Sequence, residues 1–121
     1  MKIKSRGSGP ADMQRYKFVV MSNSTEGRDE EYNEWYQNCH LPELLELDVI
    51  VCAQRFQQTL NLREGESYRY MVIYEIETDD IDAVVANRVR TAEAGRLTMS
   101  DAIDTDNSYA VFYEALEDTL Y

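Results

Sequence analysis

The pattern of apolar and polar residues changes its period several times along the chain, and each change marks an element. Residues 16–24 begin as a β-rich run and end in a polar turn, which predicts a first strand. Residues 26–39 come next, and their apolar side chains recur at the spacing of one helical face: Tyr32, Trp35, Tyr36 and Cys39. Acidic residues at 29–31 would lie in the first turn, where the helix dipole favours anions. This stretch therefore predicts a first helix.

The helical pattern then meets a proline. Pro42 has no N–H to donate, and its ring disfavours helical dihedral angles at Leu41. We therefore expect the helix to stop or kink near His40. Residues 42–47 would form a short second helix with proline at its first position.

The middle of the chain predicts a hairpin. Residues 49–60 are β-rich at their start and alternate later, and residues 62–67 form a turn with one glycine among charged residues. Residues 68–77 alternate, so that five of their side chains share one face: Tyr68, Tyr70, Val72, Tyr74 and Ile76. The two runs are expected to pair as neighbouring strands.

A second helix and a last strand complete the pattern. Residues 79–95 predict a helix, with Asp79 or Asp80 as its N-cap and Gly95 just past its end. Its expected buried stripe consists of four aliphatic residues: Ile81, Val84, Val85 and Val89. A short loop leads to the last strand, residues 108–116.

The predicted order of elements is βαββαβ, which is the ferredoxin-like arrangement of an α+β fold. It implies a four-stranded antiparallel sheet with both helices on one face. The other face needs a cover, since two of the strands carry Tyr and Val in alternation and such apolar surface is costly to leave in water. We expect two copies to pair through these open faces as a two-fold dimer, forming a dimeric α/β barrel.

The N-terminal residues differ from the rest of this chain of 121 residues, of which 44% are apolar. They are basic, rich in Gly and Ser, and show no period. We expect residues 1–15 to be a disordered arm or an expression remnant, and residues 16–121 to form a single domain.

The formal net charge of −11 changes the list of possible partners. A surface that negative repels nucleic acid and anionic lipid, so neither is expected to bind. Cys39 and Cys52 do not make a disulfide framework, and no apolar run is long enough to cross a bilayer. No signal peptide is recognisable either, which favours a reducing, cytoplasmic location.

Several segments of the sequence carry a resemblance. After an acidic turn come WYQNCHLPELL (35–45), AQRF (53–56), RYMVIYEIE (69–77), MSDA (99–102) and FYE (112–114). In this order they resemble the EthD-like branch of the dimeric α/β-barrel superfamily over most of residues 16–114, and NCHLPE is the most specific part. The resemblance implies a pocket between sheet and helices in each subunit, with His or Tyr side chains that transfer protons.

His40 is the only histidine and the first candidate for catalysis. A neutral imidazole accepts or donates a proton near physiological pH, which suits enolisation, dehydration or aldol-type cyclisation. The resemblance points to the same residue. Alternatively, His40 only caps the broken helix through a hydrogen bond.

Aromatic residues are the next candidates. Trp35 and Tyr36 are expected to line the region of His40, or to be core residues, as aromatics at helical spacing often are. Tyr74 is a second catalytic candidate, and Tyr70 a substrate-binding one, because their hydroxyls would hold a phenol or carbonyl oxygen if their strand face lines the pocket. The same open question concerns two tyrosines of the last strand, Tyr109 and Tyr113.

Two charged residues complete the predicted substrate-binding set. Arg55 lies mid-strand among apolar neighbours, so it needs either an acidic partner such as Glu75 or an anionic ligand such as a carboxylate. Asp101 is expected to orient His40, or else to lie in a solvent-facing turn. One histidine and scattered carboxylates predict no metal site, and no phosphate-binding loop, haem or flavin signal is present.

These residues favour a cofactor-free acid–base enzyme of the lyase, isomerase or cyclase type. Its substrate would be a small, mostly apolar carbonyl or phenolic compound. Two alternatives remain open: a non-catalytic dimer that binds a small hydrophobic molecule, and a cofactor-independent monooxygenase whose protein groups only deprotonate a phenol.

Overall fold

The structure is a computed structural model that describes residues 13–47 and 49–121. Its elements are β1 (Gln14–Ser22), α1 (Asp29–Trp35), a π-helical turn (Tyr36–His40), α2 (Leu41–Leu45), β2 (Ile50–Gln57), β3 (Tyr70–Thr78), α3 (Ile81–Glu93) and β4 (Tyr109–Glu114). The predicted α+β fold is confirmed. Most of the predicted N-terminal arm lies outside the described residues, but Gln14 and Arg15 belong to β1.

The four strands form one antiparallel sheet in the order β2-β3-β1-β4. This order is that of a ferredoxin-like fold, in which the first and third strands lie at the centre. Phe18 of β1 pairs with Tyr74 on one side and with Phe112 on the other. Ala53 of β2 pairs with Tyr74, so the predicted hairpin of β2 and β3 is confirmed.

The two faces of the sheet differ in what covers them. The alternating face of β3 is buried under the helices: Tyr70, Val72, Tyr74, Ile76 and Thr78. Four of the five residues predicted to share a face therefore do so, whereas Tyr68 precedes the strand. We call the opposite side the open face; its centre is aliphatic (Val19, Met21, Met71, Ile73 and Val111) and the exposed tyrosines Tyr109 and Tyr113 flank it.

The helix does not stop near His40, which was one of the two predicted outcomes; a π-helical turn lies there instead, and the predicted short helix is α2, with Pro42 in its first turn. The backbone of His40 and Leu41 is helical, and the chain passes from α1 to α2 without stopping. It does so through the π-helical turn, in which the N–H of Leu41 donates to the carbonyl of Tyr36, five residues earlier. The chain thus accommodates the proline by widening one turn of the helix.

Helix α3 begins and ends as predicted but presents a different face. Asp80 accepts a hydrogen bond from the N–H of Ala83 at 3.1 Å, and Gly95 comes after the last turn with φ of 73°. The predicted stripe is partly wrong, because Val85 and Val89 are 39% and 47% exposed. The half-buried face is instead formed by Ile81, Val84, Arg88 and Thr91.

No helix among the described residues has both the length and the apolar character needed to cross a membrane.

Candidate functional site

The π-helical turn decides which side chain faces the sheet. A regular α-helix would continue the buried stripe of Tyr32 and Tyr36 to Cys39. The turn adds one residue to the helix and so rotates the residues after it by about 100°. Cys39 is consequently exposed, while His40 takes its place and is only 7% exposed.

His40 lies among aromatic rings. Its ring stacks on Trp35 with centroids 4.6 Å apart, and it meets Tyr36 edge to face at 5.1 Å. Nδ1 is buried and has no hydrogen-bond partner among the described residues. Burial lowers the pKa of His40 to about 4, and the nearby charge of Arg88 contributes to this shift. The imidazole is therefore neutral at physiological pH.

Tyr74 reaches the same region from the middle of the sheet. The residue is 1% exposed, and its hydroxyl has no hydrogen-bond partner of good geometry among the described residues. Burial raises the pKa of Tyr74 well above its ordinary value, and the neighbouring Tyr36 raises it further. Burial also raises the pKa of Tyr36 to about 12. Both phenols keep their protons at neutral pH and can donate them in hydrogen bonds.

The hydroxyls of Tyr32 and Tyr70, on the same side of the sheet, do have hydrogen-bond partners. The hydroxyl of Tyr32 lies 2.6 Å from the hydroxyl of Ser22. The hydroxyl of Tyr70 donates to Asp29 at 2.8 Å, and Arg69 pairs with the same carboxylate at 3.0 Å. These two phenols are satisfied within the protein, so Tyr74 stands out.

Arg88 of α3 is the residue that sequence reasoning missed. Its guanidinium lies 5.4 Å from the ring centroid of Phe18, and its buried Nε has no hydrogen-bond partner among the described residues. The ring of Phe18 lies in turn 5.5 Å from that of Tyr74, so Phe18 links Arg88 to Tyr74. The charge of Arg88 also contributes to the lowered pKa of His40 and opposes the rise in the pKa of Tyr36 and Tyr74. Its spacing of four residues from the half-buried Val84 could have revealed it.

Three buried polar atoms without partners among the described residues thus lie in the layer between sheet and helices. They come from three elements: Nδ1 of His40, the hydroxyl of Tyr74 and Nε of Arg88. Phe18 and Phe112, stacked with centroids 4.3 Å apart, add to the apolar surroundings. Buried polar groups without partners are rare in folded proteins, and a catalytic or binding role is one established explanation for them. We call this group the polar cluster.

Trp35 contacts the polar cluster through its stack on His40. Its Nε1 donates to the carbonyl of Thr98 at 2.8 Å. The carboxylate of Glu43 accepts two hydrogen bonds from Thr98, at 2.8 and 2.6 Å. The indole ring is therefore fixed as one wall of the candidate site.

Arg55 lies beside this region rather than against Glu75. Its Nη2 donates to Asn33 at 2.5 Å, and its guanidinium lies 5.1 Å from the ring centroid of Tyr36. The predicted pairing with Glu75 is wrong, because Glu75 points to the open face, where Lys17 pairs with it at 3.8 Å. Arg55 projects from the face that the helices cover.

Asp101 lies on the surface and does not join the polar cluster. Its carboxylate pairs with Arg28 at 2.8 Å, its side chain is 85% exposed, and the Arg28 guanidinium lowers the pKa of this carboxyl. It contributes to a shallow surface pocket with Met99 and Ile103. The expected contact with His40 is not among those of the described residues.

The polar cluster can donate hydrogen bonds to an oxygen and accept a proton nearby. The Tyr74 hydroxyl and the Arg88 Nε–H are donors suited to a carbonyl or enolate oxygen. Neutral His40 supplies a proton acceptor. No group of three His, Cys, Asp or Glu side chains in residues 13–47 and 49–121 is arranged to hold a metal ion.

Comparison with family models, with curated proteins and with solved structures gives no match for this chain. The resemblance to EthD-like proteins therefore stays a prediction, and the site is interpreted from its own geometry.

Proposed function

We propose that this protein is a cofactor-free acid–base enzyme of the lyase, isomerase or cyclase type. In this proposal His40 is the base, and Tyr74 and Arg88 hold the oxygen of a small, mostly apolar carbonyl or phenolic substrate. One observation carries it: the polar cluster contains three buried polar atoms that have no partners among the described residues. The resemblance of NCHLPE to EthD-like proteins supports it, since that resemblance implies a pocket between sheet and helices.

The proposed step is enolisation. His40 takes a proton from the carbon next to the substrate carbonyl, and the electron pair of that C–H bond moves to form the enolate. The negative charge on the enolate oxygen is stabilised by the O–H of Tyr74 and the N–H of Arg88. The imidazolium then returns the proton to the same carbon, to another carbon or to a leaving group.

The electrostatics of the polar cluster fit this sequence. In the free protein the charge of Arg88 disfavours protonation of His40. A negative charge developing on the substrate oxygen offsets the charge of Arg88, so the pKa of His40 rises as the reaction proceeds. When the enolate is consumed, the pKa falls again and the proton is returned.

An exchange experiment tests the proposal without knowledge of the natural substrate. Ketones such as butyrophenone and acetylacetone are incubated with the protein in deuterium oxide, and loss of the α-proton signal is followed by NMR. We expect exchange above the buffer rate, and His40→Gln is expected to reduce it by at least about 100-fold. Cys39→Ser changes the exposed neighbour and is expected to retain the rate. Exchange by folded His40→Gln within a few-fold of the unmodified protein would refute the role of His40.

A binding module is the second candidate. The stack of His40 on Trp35 favours it, because such packing also suits a purely structural histidine. In that case ketones or phenols would bind, as reported by the fluorescence of Trp35, but no exchange would occur. Binding would also survive His40→Gln.

A cofactor-independent monooxygenase would use the same neutral base. His40 would take the proton of a phenol, Tyr74 and Arg88 would stabilise the phenolate, and the phenolate would react with oxygen. Consumption of oxygen in the presence of candidate phenols separates this reaction from enolisation.

The open face supports the proposal of a homodimer. Its aliphatic centre would be removed from water if two copies met face to face. Sedimentation of the protein is expected to give the mass of a dimer, and Ile73→Asp, at the centre of this face, a monomer. A monomeric unmodified protein would contradict the proposal.

A further inference from the structure

Four arginines of the described residues are partly buried, and two of them have no carboxylate partner there. Arg15 and Arg28 each pair with a carboxylate, at 3.6 and 2.8 Å. Arg55 and Arg88 are also partly buried, yet neither has a carboxylate within ion-pair distance in residues 13–47 and 49–121. A chain with a net charge of −11 has acidic residues in excess, so a shortage of them is not the cause.

Arg55 is surrounded by aromatic rings. Its guanidinium lies 5.1, 5.6 and 5.9 Å from the ring centroids of Tyr36, Tyr32 and Tyr70. Rings stabilise a cation through their faces, but they do not use the N–H groups in its plane. A guanidinium has five such donors; one of them bonds to Asn33, and the hydroxyl of Tyr32 is within reach of another. The remaining donors suit the two oxygens of a carboxylate.

The position of Arg55 in the sheet relates it to the polar cluster. Arg55 pairs with Val72, and Ala53, two residues earlier on β2, pairs with Tyr74. Arg55 and Tyr74 therefore project from the same face of adjacent strands. As diagonal neighbours their Cα atoms are about 7–8 Å apart. Tyr36 connects Arg55 with His40, because its ring contacts the imidazole at 5.1 Å between centroids and lies 5.1 Å from the Arg55 guanidinium.

We infer that the substrate of the proposed enzyme is a keto acid, whose carboxylate binds Arg55 while its ketone oxygen faces Tyr74 and Arg88. This inference rests on the proposed function for the ketone and adds the carboxylate to it. The negative net charge repels free anions, so binding of a carboxylate requires a specific cation of this kind.

Calorimetric titration with three probes tests it: β-benzoylpropionate, its primary amide and butyrophenone. The three share the aryl ketone and differ in the group that would reach Arg55. We expect the carboxylate to bind about tenfold or more tightly than the amide. Arg55→Gln and Arg55→Met are expected to remove this preference. Arg63→Gln, in an exposed turn, is the matched control and is expected to retain the preference.

The outcomes separate the two proposals. Equal binding of carboxylate and amide by the unmodified protein overturns the inference, whatever the variants do. A preference that survives in either Arg55 variant, with its fold checked by circular dichroism, also overturns it. Proton exchange of butyrophenone is measured independently. Exchange without a carboxylate preference retains the enzyme and rejects the keto acid, whereas an Arg55-dependent preference without exchange retains the carboxylate site and rejects the enolisation.

Discussion

The two helical layers lie on the same face of the sheet but are attached to it differently. The layer from α1 through α2 buries six side chains: Tyr32, Trp35, Tyr36, His40, Leu41 and Leu44. Helix α3, although longer than either α1 or α2, buries none. The first layer is thus held by apolar burial, whereas α3 approaches the sheet with the stem and guanidinium of Arg88.

This difference assigns different tasks to the two layers. The proposed base lies in the well-packed layer, where its ring orientation is fixed by Trp35 and Tyr36. The cation lies on the loosely packed helix. Substitutions in the first layer should therefore affect folding first, and substitutions in α3 should affect the site with little effect on folding.

The largest expected effect is on stability in the first layer. Leu44 is 2% exposed, so Leu44→Ala leaves a cavity and is expected to lower the free energy of unfolding by about 2–5 kcal/mol. Val89→Ala in α3 removes a side chain that is 47% exposed, and it is expected to change the same quantity by less than about 0.5 kcal/mol. Urea unfolding followed through Trp35 fluorescence measures both. Similar losses for the two variants would show that α3 is packed as firmly as α2.

The next largest effect is on the exchange rate, and it concerns a substitution in α3 that should leave stability nearly unchanged. Arg88→Met keeps much of the aliphatic length but removes the proposed donor to the enolate oxygen. We expect the exchange rate to fall by roughly 100- to 1000-fold, the loss typical for one donor to a developing oxyanion. The melting temperature should stay close to that of the unmodified protein. Arg90→Met, at an exposed position two residues later, is the control. A large loss of stability in Arg88→Met with unchanged exchange would make Arg88 a structural residue.

The low pKa of His40 predicts how stability depends on pH. Between its ordinary value of 6.5 and about 4, the unfolded chain binds a proton at this residue that the folded chain does not. The free energy of unfolding therefore falls as the pH drops through this window, by at most roughly 3 kcal/mol. His40→Gln should lack this part of the decline. Asp29 and Glu43, whose pKa values are lowered from 3.8 and 4.5, reduce the free energy of unfolding mainly below about pH 5, and they do so in both proteins. Parallel curves for the two proteins between pH 7 and about 4.5 would contradict the buried, neutral imidazole.

How much the sequence could predict depended on whether a feature is local. The cap at Asp80 and the stop at Gly95 are decided by neighbouring residues, and both were predicted. The partner of Arg55, which was predicted to be Glu75, is not decided by neighbouring residues. It depends on the strand register. Because Arg55 pairs with Val72, Glu75 lies on the opposite face of β3.

Two features of the candidate site were hidden for a related reason. An arginine in an amphipathic helix is ordinarily a surface residue, so the four-residue spacing of Arg88 from Val84 was its only signal, and that signal gained meaning once the orientation of α3 was known. The break expected at Pro42 rested on the missing N–H and on the dihedral angles that proline disfavours at Leu41. It did not include the burial of Leu41 before the proline and of Leu44 after it, which favours a continuous helix.

The smallest expected effect is that of Pro42→Ala, which tests whether the proline is needed for the π-helical turn. Pro42→Ala restores an N–H and allows a regular α-helix. A regular helix would rotate Leu41 and Leu44, now 4% and 2% exposed, by about 100° away from the sheet. Because that loss of burial exceeds the gain of one hydrogen bond, we expect the turn to persist and stability to change by less than about 1 kcal/mol. Exchange and Trp35 fluorescence should be nearly unchanged. If the folded variant instead lost exchange more than tenfold, the proline itself would be what directs His40 into the site.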